Sequence, residues 1–136
     1  MTPISRNKLS TDAQVKVEGI LISELCKATL PDKLESLINA LLSPSEKLMI
    51  AKRMAVFVMV ENKVPDTHIA KALNLTTVTV AKLRYSYLLS KEKKEPIVET
   101  VQNPKLWEIL KPILKKILVE YAIPAAGGRI PKQPLF

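Results

Sequence analysis

Apolar residues recur at helical spacing along most of the chain, and short breaks containing proline or polar residues separate the repeats. A first helix is predicted after Thr11, which forms a capping-box pattern with Gln14. Pro31 suits the first position of a second helix, because the amide that proline lacks is unpaired there in any residue. In both segments the apolar positions share one face, namely Val17, Ile20, Leu21 and Leu25, then Leu34, Leu37, Ile38 and Leu41.

The strongest helix start lies at Ser43, where a serine, a proline and Glu46 follow one another as in a capping box. We expect the helix to run to about Asn62 or Lys63. Residues 54–60 (MAVFVMV) are apolar on every face and must therefore be covered all round. A chain of 136 residues has few neighbours to supply that cover, so a partner subunit is expected to do so. A short buried strand is the alternative.

The two ends of the chain have a different character from its middle. Residues 1–10 are polar and are predicted to be flexible. Asn103-Pro104 begins a C-terminal helix over residues 103–121, which keeps an apolar stripe through several turns. Residues 122–136 contain three prolines and a pair of glycines, which predicts a flexible basic tail.

A helix-turn-helix is predicted over residues 66–90, within a helical domain at residues 11–94. Asp66 can cap a short helix through Leu73, Asn74 tolerates the left-handed conformation of a tight turn, and Thr76 can cap a second helix. A small residue is needed where two helices cross steeply. Six positions fall where such a motif buries its residues, namely Ile69, Ala70, Leu73, Leu75, Val80 and Leu83.

The second helix of this motif carries the candidate DNA-binding residues. Small hydroxyl and methyl groups at its start can enter the major groove and meet base edges. Basic side chains further along it, including Lys91, Lys93 and Lys94, are expected to meet phosphates. The candidates are Thr76, Thr77, Val78, Thr79, Ala81, Lys82, Arg84 and Tyr85.

Charge supports this interpretation, because the net charge of +8 gathers in the second half of the chain. Residues 66–94 contain six Lys/Arg against two Asp/Glu, and residues 103–136 again contain six against two. A polyanion binder needs such a bias. The alternative for the charge is that it serves solubility alone. The alternative for the motif is an ordinary helical pair with a threonine-rich exposed face.

Other classes of function find no support in the residues. We expect no enzyme and no cofactor, because the chain lacks a glycine-rich phosphate loop and any nucleophile–base pattern. His68 and Cys26 are the sole histidine and cysteine, so neither a metal site nor an internal disulfide is expected. No apolar run is long enough to span a membrane. A cytoplasmic, nucleoid-associated location is expected.

From Leu37 to about Ser90 the chain resembles the tryptophan repressor superfamily. The matching stretches are LLSPSEKLMIAKRMAVFVMVENKVPDTHIAKAL and NLTTVTVAKL, which keep the order of a capped central helix followed directly by a helix-turn-helix. The resemblance implies an all-α fold of about six helices in an intertwined homodimer. It also implies a sequence-specific regulator of transcription, a repressor, that binds double-stranded DNA.

The same resemblance implies an effector pocket formed by Ser43, Arg53, Lys82 and Ser86. Two positions depart from the family. Lys82 stands where a second stacking arginine is found, and Leu83 replaces a glycine that leaves room for the ligand. A leucine side chain should fill most of that space, so we do not expect this chain to sense tryptophan. A different small-molecule effector at Arg53 is a further hypothesis.

A second function class stays open beside DNA binding. The C-terminal helix carries an apolar stripe, and a basic tail follows it. Both features are typical of a segment that docks on another protein. The chain could therefore be a helical protein–protein interaction adaptor that uses residues 103–136.

Overall fold

The structure, a computed structural model, describes residues 8–125, with side chains as far as residue 116. Within that range the chain is all α-helical, which confirms the predicted class and excludes the strand considered for residues 54–60. None of the helices in this range combines the length and apolar character of a membrane span. The helices are α1 (Thr11–Lys27), α2 (Pro31–Leu41), α3 (Pro44–Glu61), α4 (Asp66–Leu73), α5 (Thr77–Glu92), α6 (Pro96–Val101) and α7 (Pro104–Ala125).

These residues belong to two compact units, unit 1 (Met1–Lys47) and unit 2 (Leu48–Phe136), with the boundary inside α3. The flexible ends predicted for residues 1–10 and 122–136 lie mostly outside the described residues. The exception is at the C-terminal end, where α7 continues to Ala125. The predicted helix end at Tyr121 is therefore too early.

Local capping explains where two of the helices start. Ser43 and Glu46 form the predicted capping box: the Ser43 Oγ accepts from the Glu46 amide at 3.1 Å, and the Glu46 carboxylate accepts from the Ser43 amide at 3.0 Å. These bonds hold the pKa of Glu46 below its ordinary value. At α1 the cap is Ser10, whose hydroxyl accepts from the Ala13 amide at 3.2 Å. Thr11 is thus the first helical residue and not the predicted cap.

Unit 1 has little interior of its own. Among its described residues Ala28 alone is buried, while most of the apolar residues of α1 and α2 are exposed. The large exposed apolar side chains are Leu9, Val15, Val17, Ile20, Leu21, Ile22, Leu30, Leu34 and Leu41. The helical periodicity predicted for these segments therefore marks surfaces and not a packed core.

Unit 2 is built around one hydrophobic core to which all of its helices contribute. The α4 helix packs against α5 and α7, and α5 packs against α6. Val56–Val60 are buried by the chain itself, so these residues need no partner subunit, contrary to the expectation for the MAVFVMV segment. The buried apolar residues are Val56, Phe57, Val58, Met59, Val60, Val64, Ile69, Ala70, Ala72, Val80, Leu83, Tyr87, Val98, Val101 and Leu114.

The seventh helix, one more than the sequence predicted, is α6. It spans only Pro96–Val101, begins with proline at its first turn and buries Val98 and Val101. Six residues give fewer than two helical turns, so hydrophobic periodicity could not identify it. Its two valines complete the core beside α5.

Three helices of unit 2 end in the same way. The residue after each helix, or shortly after it, has a left-handed backbone: Lys63 (φ 60°), Asn74 (φ 53°) and Lys94 (φ 55°). The next amide then donates to the carbonyl five residues earlier, a Schellman ending. These bonds are Val64 to Met59 at 3.0 Å, Leu75 to Ala70 at 2.9 Å and Glu95 to Ser90 at 3.0 Å.

The substitution Lys94→Gly should stabilise the protein. A left-handed conformation costs a lysine energy that glycine avoids, so the free energy of unfolding should rise by about 0.5–1 kcal/mol. Lys93→Gly is the matched control, because Lys93 has φ −80° and the same charge. That variant should lose a similar amount, since glycine gains freedom only in the unfolded chain. Urea unfolding followed by circular dichroism measures both, and equal effects would contradict the prediction.

Candidate nucleic-acid interface

The helix-turn-helix segment consists of α4, a short turn and α5. Asn74 adopts the predicted left-handed conformation at φ 53° and ψ 54°. Thr76 caps α5 as predicted, because its hydroxyl oxygen accepts from the Thr79 amide at 3.2 Å. The Thr76 hydroxyl also donates to the Thr79 hydroxyl at 2.9 Å. Two of the candidate hydroxyl groups therefore bond each other at the cap.

The inner sides of α4 and α5 pack as the sequence predicted. Ile69, Ala70, Val80 and Leu83 are buried in the core of unit 2. The two remaining predicted positions, Leu73 and Leu75, are half-buried and pack against the same core. Tyr87, one turn beyond Leu83, is fully buried as well. The outward face of α5 is thus supported by a continuous apolar contact along the helix.

The outward face of α5 brings together most of the candidate DNA-binding residues. Val78 is 62% exposed and Tyr85 is 66% exposed, although both are large apolar or aromatic side chains. Lys82 is exposed between them, one helical turn from each. We define the reading face as the exposed residues Thr77, Val78, Ala81, Lys82 and Tyr85. It offers a hydroxyl, methyl groups, a phenol and one cation on a single side of the helix.

Arg84 was predicted to bind DNA and Asp66 to cap α4, but in the structure the two side chains pair with each other. The Arg84 Nε donates to the Asp66 Oδ1 at 2.7 Å, and its Nη2 contacts the same carboxylate oxygen. The Nη2 also donates to the Val64 carbonyl at 3.4 Å. Asp66 is the first residue of α4 and makes no cap through its side chain; the cap position is Pro65. The pair ties the start of α4 to the middle of α5, so the Arg84 guanidinium is already engaged.

A double-mutant cycle tests this role of Arg84. Arg84→Ala and Asp66→Ala should each lower the free energy of unfolding, and the coupling between them should be about 0.5–1 kcal/mol, because the pair is partly exposed and both guanidinium nitrogens share one carboxylate oxygen. Lys82→Ala should change the stability by less than about 0.5 kcal/mol, because its side chain is exposed on the reading face. Additive losses at Arg84 and Asp66 would contradict the pairing.

Among the other basic candidates, one is paired with a carboxylate and two are exposed. Lys91 is paired with the Glu61 carboxylate, at 3.1 Å between the Lys91 Nζ and the Glu61 Oε2. Lys93 and Lys94 are exposed near the end of α5. The cations best placed to meet phosphate are therefore Lys82, Lys93 and Lys94.

The residues of the predicted effector pocket are placed as follows. Ser43 lies in unit 1 and takes part in the capping box, while Arg53, Lys82 and Ser86 are exposed in unit 2. Leu83 is buried in the core. An apolar cavity of about 180 Å³ in unit 2 is lined by other residues, namely Ala51, Met54, Ala55, Val58, Leu106, Ile109 and Leu110. A small-molecule effector at Arg53 stays a prediction.

A cluster of polar side chains around Glu61, the last residue of α3, was not predicted from the sequence. The Tyr87 hydroxyl donates to the Glu61 Oε2 at 2.5 Å, and the Gln102 Nε2 donates to the Glu61 Oε1 at 3.2 Å. Lys91 completes the set. One signal could have drawn attention to Glu61: an acid in the last turn of a helix opposes the helix dipole.

The electrostatics of this cluster agree with its geometry. Burial acts to raise the pKa of Glu61, but hydrogen bonds from Tyr87, Lys91 and Gln102, with the charge of Lys91, hold that pKa below its ordinary value. Burial, the hydrogen bond to Glu61 and the Glu61 charge raise the pKa of the Tyr87 phenol well above its usual range. The carboxylate is therefore charged and the phenol neutral at physiological pH.

No protein-family model, curated protein or solved structure matches the chain. The geometry of α4 and α5 therefore defines the site. That geometry consists of two helices joined by a left-handed turn, a locked inner face and an outward face of mixed hydroxyl, apolar and basic groups.

Proposed function

We propose that the chain is a sequence-specific regulator of transcription, a repressor, that binds double-stranded DNA as a homodimer through α4 and α5. The observation that carries the proposal is the reading face of α5. Large side chains stand exposed there beside a hydroxyl and a lysine, on a helix whose opposite side is fully packed. Such a helix is rigid enough to place side chains against base edges.

The chemistry of the reading face suits the major groove. The Thr77 hydroxyl can donate to or accept from base edges, and the methyl groups of Val78 and Ala81 can contact thymine methyl groups. Lys82 can reach guanine acceptors or a phosphate. The positive end of the helix dipole at the start of α5 would favour a nearby phosphate, which would orient the start of the helix toward the groove.

The local charge supports binding to a polyanion. Residues 66–94 contain six Lys/Arg and two Asp/Glu, and one of those acids, Asp66, is neutralised by Arg84. Exposed lysines therefore dominate the surface around the reading face. Binding should weaken steeply as salt increases, because each phosphate contact releases counterions.

The homodimer is supported by the exposed apolar surface of unit 1 and by the resemblance to the tryptophan repressor superfamily. Nine large apolar side chains between Leu9 and Leu41 are exposed, far more than a monomeric surface of that length commonly leaves in water. A second copy would bury them, and the resemblance implies a dimer that presents two reading faces to successive major grooves. Light scattering should give twice the 15.2 kDa chain mass at micromolar concentration, and a monomer there would contradict the dimer.

Selection of bound duplexes from a random pool, followed by fluorescence anisotropy, tests DNA binding. The selected site should bind at least about a thousandfold more tightly than random duplex at physiological salt. Random duplex should itself bind at low salt, where phosphate contacts are strongest. If neither duplex binds at low salt, the proposal is wrong.

The adaptor function is the second candidate, and α7 carries the observation that favours it. Ile109 is 67% exposed and Ile113 is 55% exposed, on the stripe predicted to dock a partner. An adaptor would lose its partner when both isoleucines are replaced by glutamine. A DNA-binding regulator should keep its affinity for duplex in that variant, because the net charge is unchanged, and this difference separates the two functions.

A further inference from the structure

We infer that Glu61 is a positioning residue for DNA recognition, because its carboxylate sets the rotation and axial position of α5 against α3. The inference rests on the proposed function of the reading face and extends it to a residue that would not touch DNA. Glu61 lies at the end of α3, whereas the reading face lies on the far side of α5 from the residues that bind Glu61.

Two pairs of side chains face each other across the junction of α3 and α5. Phe57 and Glu61 are one turn apart on α3, and Tyr87 and Lys91 are one turn apart on α5. The rings of Phe57 and Tyr87 stack with centroids 5.3 Å apart. One turn further along, the Lys91 ammonium meets the Glu61 carboxylate. A slide of α5 by one residue, or a rotation about its axis, would break both contacts together.

The Tyr87 hydroxyl connects the apolar contact with the charged one. Tyr87 is fully buried, and its hydroxyl donates to Glu61 at 2.5 Å. The side chain of Glu61 is only 19% exposed, so water competes little for its oxygens. Gln102, the residue after α6, donates to the other carboxylate oxygen and fixes the carboxylate from a third direction.

The position of Glu61 in its helix argues against a role in stabilising α3 alone. A negative charge at the C-terminal end of a helix is unfavourable, and no basic residue lies in the last turn of α3 to offset it. The favourable partners of Glu61 all belong to α5 or follow α6. The acid is thus stabilised by the junction and not by its own helix.

A small change at this junction is enlarged at the reading face. The outward side chains of a helix lie about 5–6 Å from its axis, so a rotation of about 20° displaces their ends by about 2 Å. A displacement of that size removes hydrogen bonds to base edges. Contacts between flexible lysines and phosphates tolerate it, because they depend mainly on charge.

The test compares Glu61→Gln with Glu92→Gln, measuring affinity for selected and random duplexes by anisotropy. Both variants remove one negative charge near the C-terminal end of α5. Glu61 is half-buried at the end of α3, whereas Glu92 is exposed at the end of α5. In Glu61→Gln the ratio of selected to random affinity should fall by at least about fivefold, while random affinity rises as Lys91 is released. In Glu92→Gln both affinities should rise equally and the ratio should stay unchanged. An unchanged ratio in Glu61→Gln would overturn the inference.

Glu61→Asp provides a second variant with the charge retained. Its carboxylate is one methylene shorter, so the ratio should fall while random affinity stays the same. A variant that is merely destabilised would instead lose both affinities in proportion to its unfolded fraction. Equal losses on both duplexes would therefore overturn the positioning role.

An independent readout separates failure of this inference from failure of the proposed function. Nuclear Overhauser contacts between the rings of Phe57 and Tyr87, and the methyl shifts of Val80 and Leu83, report the position of α5 without DNA. They should change in both Glu61 variants and not in Glu92→Gln. If the native chain binds no DNA, the proposed function fails, and these spectra alone decide whether Glu61 positions α5. Unchanged spectra would overturn the inference whatever the DNA result.

Discussion

Replacing Tyr87 with alanine should lower the free energy of unfolding by about 3–5 kcal/mol, as is typical when a buried aromatic side chain is truncated. Tyr87 is fully buried and its ring stacks on Phe57. The substitution would leave a cavity between α3 and α5. It would also leave the Glu61 carboxylate without its closest hydrogen-bond donor. Urea unfolding followed by far-UV circular dichroism measures the change.

Tyr87→Phe is the matched control, because it keeps the ring and removes only the hydroxyl. It should lower the free energy of unfolding by about 1–3 kcal/mol, the range for losing a hydrogen bond to a charged group. The difference between the two variants then isolates the packing of the ring. A loss below about 1 kcal/mol for Tyr87→Ala would mean that the core of unit 2 does not depend on this contact.

The double substitution Thr77→Ala and Lys82→Ala should weaken binding to the selected DNA site on the order of 100-fold. Each contact to a base edge contributes about 1–3 kcal/mol of discrimination, and two such contacts would be removed. Random duplex should lose at most about threefold, because only one phosphate-competent charge disappears. Anisotropy titrations on both duplexes measure the two effects, and stability should change little since both residues are exposed.

Thr100→Ala with Lys105→Ala is the control for this experiment. It removes the same two side-chain types from exposed positions on α6 and α7 of unit 2. Its binding to either duplex should stay within about twofold of the native chain. Equal losses on selected and random DNA in the Thr77 and Lys82 variant would mean that these residues do not read bases.

Features decided by neighbouring residues were predictable from the sequence. The box at Ser43 and Glu46, the left-handed Asn74 and the Thr76 cap each depend on contacts within a few positions. Their chemistry is therefore visible in a short stretch of sequence. The buried positions of the helix-turn-helix followed from periodicity in the same way.

Features that depend on distant residues could not be predicted in this way. Asp66 was predicted to cap α4 because aspartate favours the N-cap position of helices. In the structure the packing of α5 brings Arg84, 18 positions away, to the Asp66 carboxylate. The partners of Glu61 are separated from it by 26 to 41 positions. Such pairs become neighbours only after the helices pack. A single sequence does not reveal which residues of two packed helices will face each other.

The prediction that a partner subunit covers residues 54–60 was wrong for a related reason. The apolar character of a segment predicts that it is buried, but it does not identify the residues that cover it. In the structure α5, α6 and α7 share one core with Val56–Val60, and α7 contributes Leu114 from far along the chain. The large exposed apolar residues of α3 lie before this segment, at Leu48, Met49 and Ile50, and at its first residue, Met54.

The contrast in burial between the two units has a consequence for how the protein responds to dilution. Unit 2 has its own core, whereas the described part of unit 1 buries only Ala28. If a second copy covers the exposed apolar residues of unit 1, the fraction of chains in which α1 and α2 are folded depends on protein concentration through the dimerisation equilibrium. Amide exchange in these helices would then slow as the protein is concentrated, while exchange in α5 would not change. The amount of protein in the cell would itself set how much of unit 1 is folded.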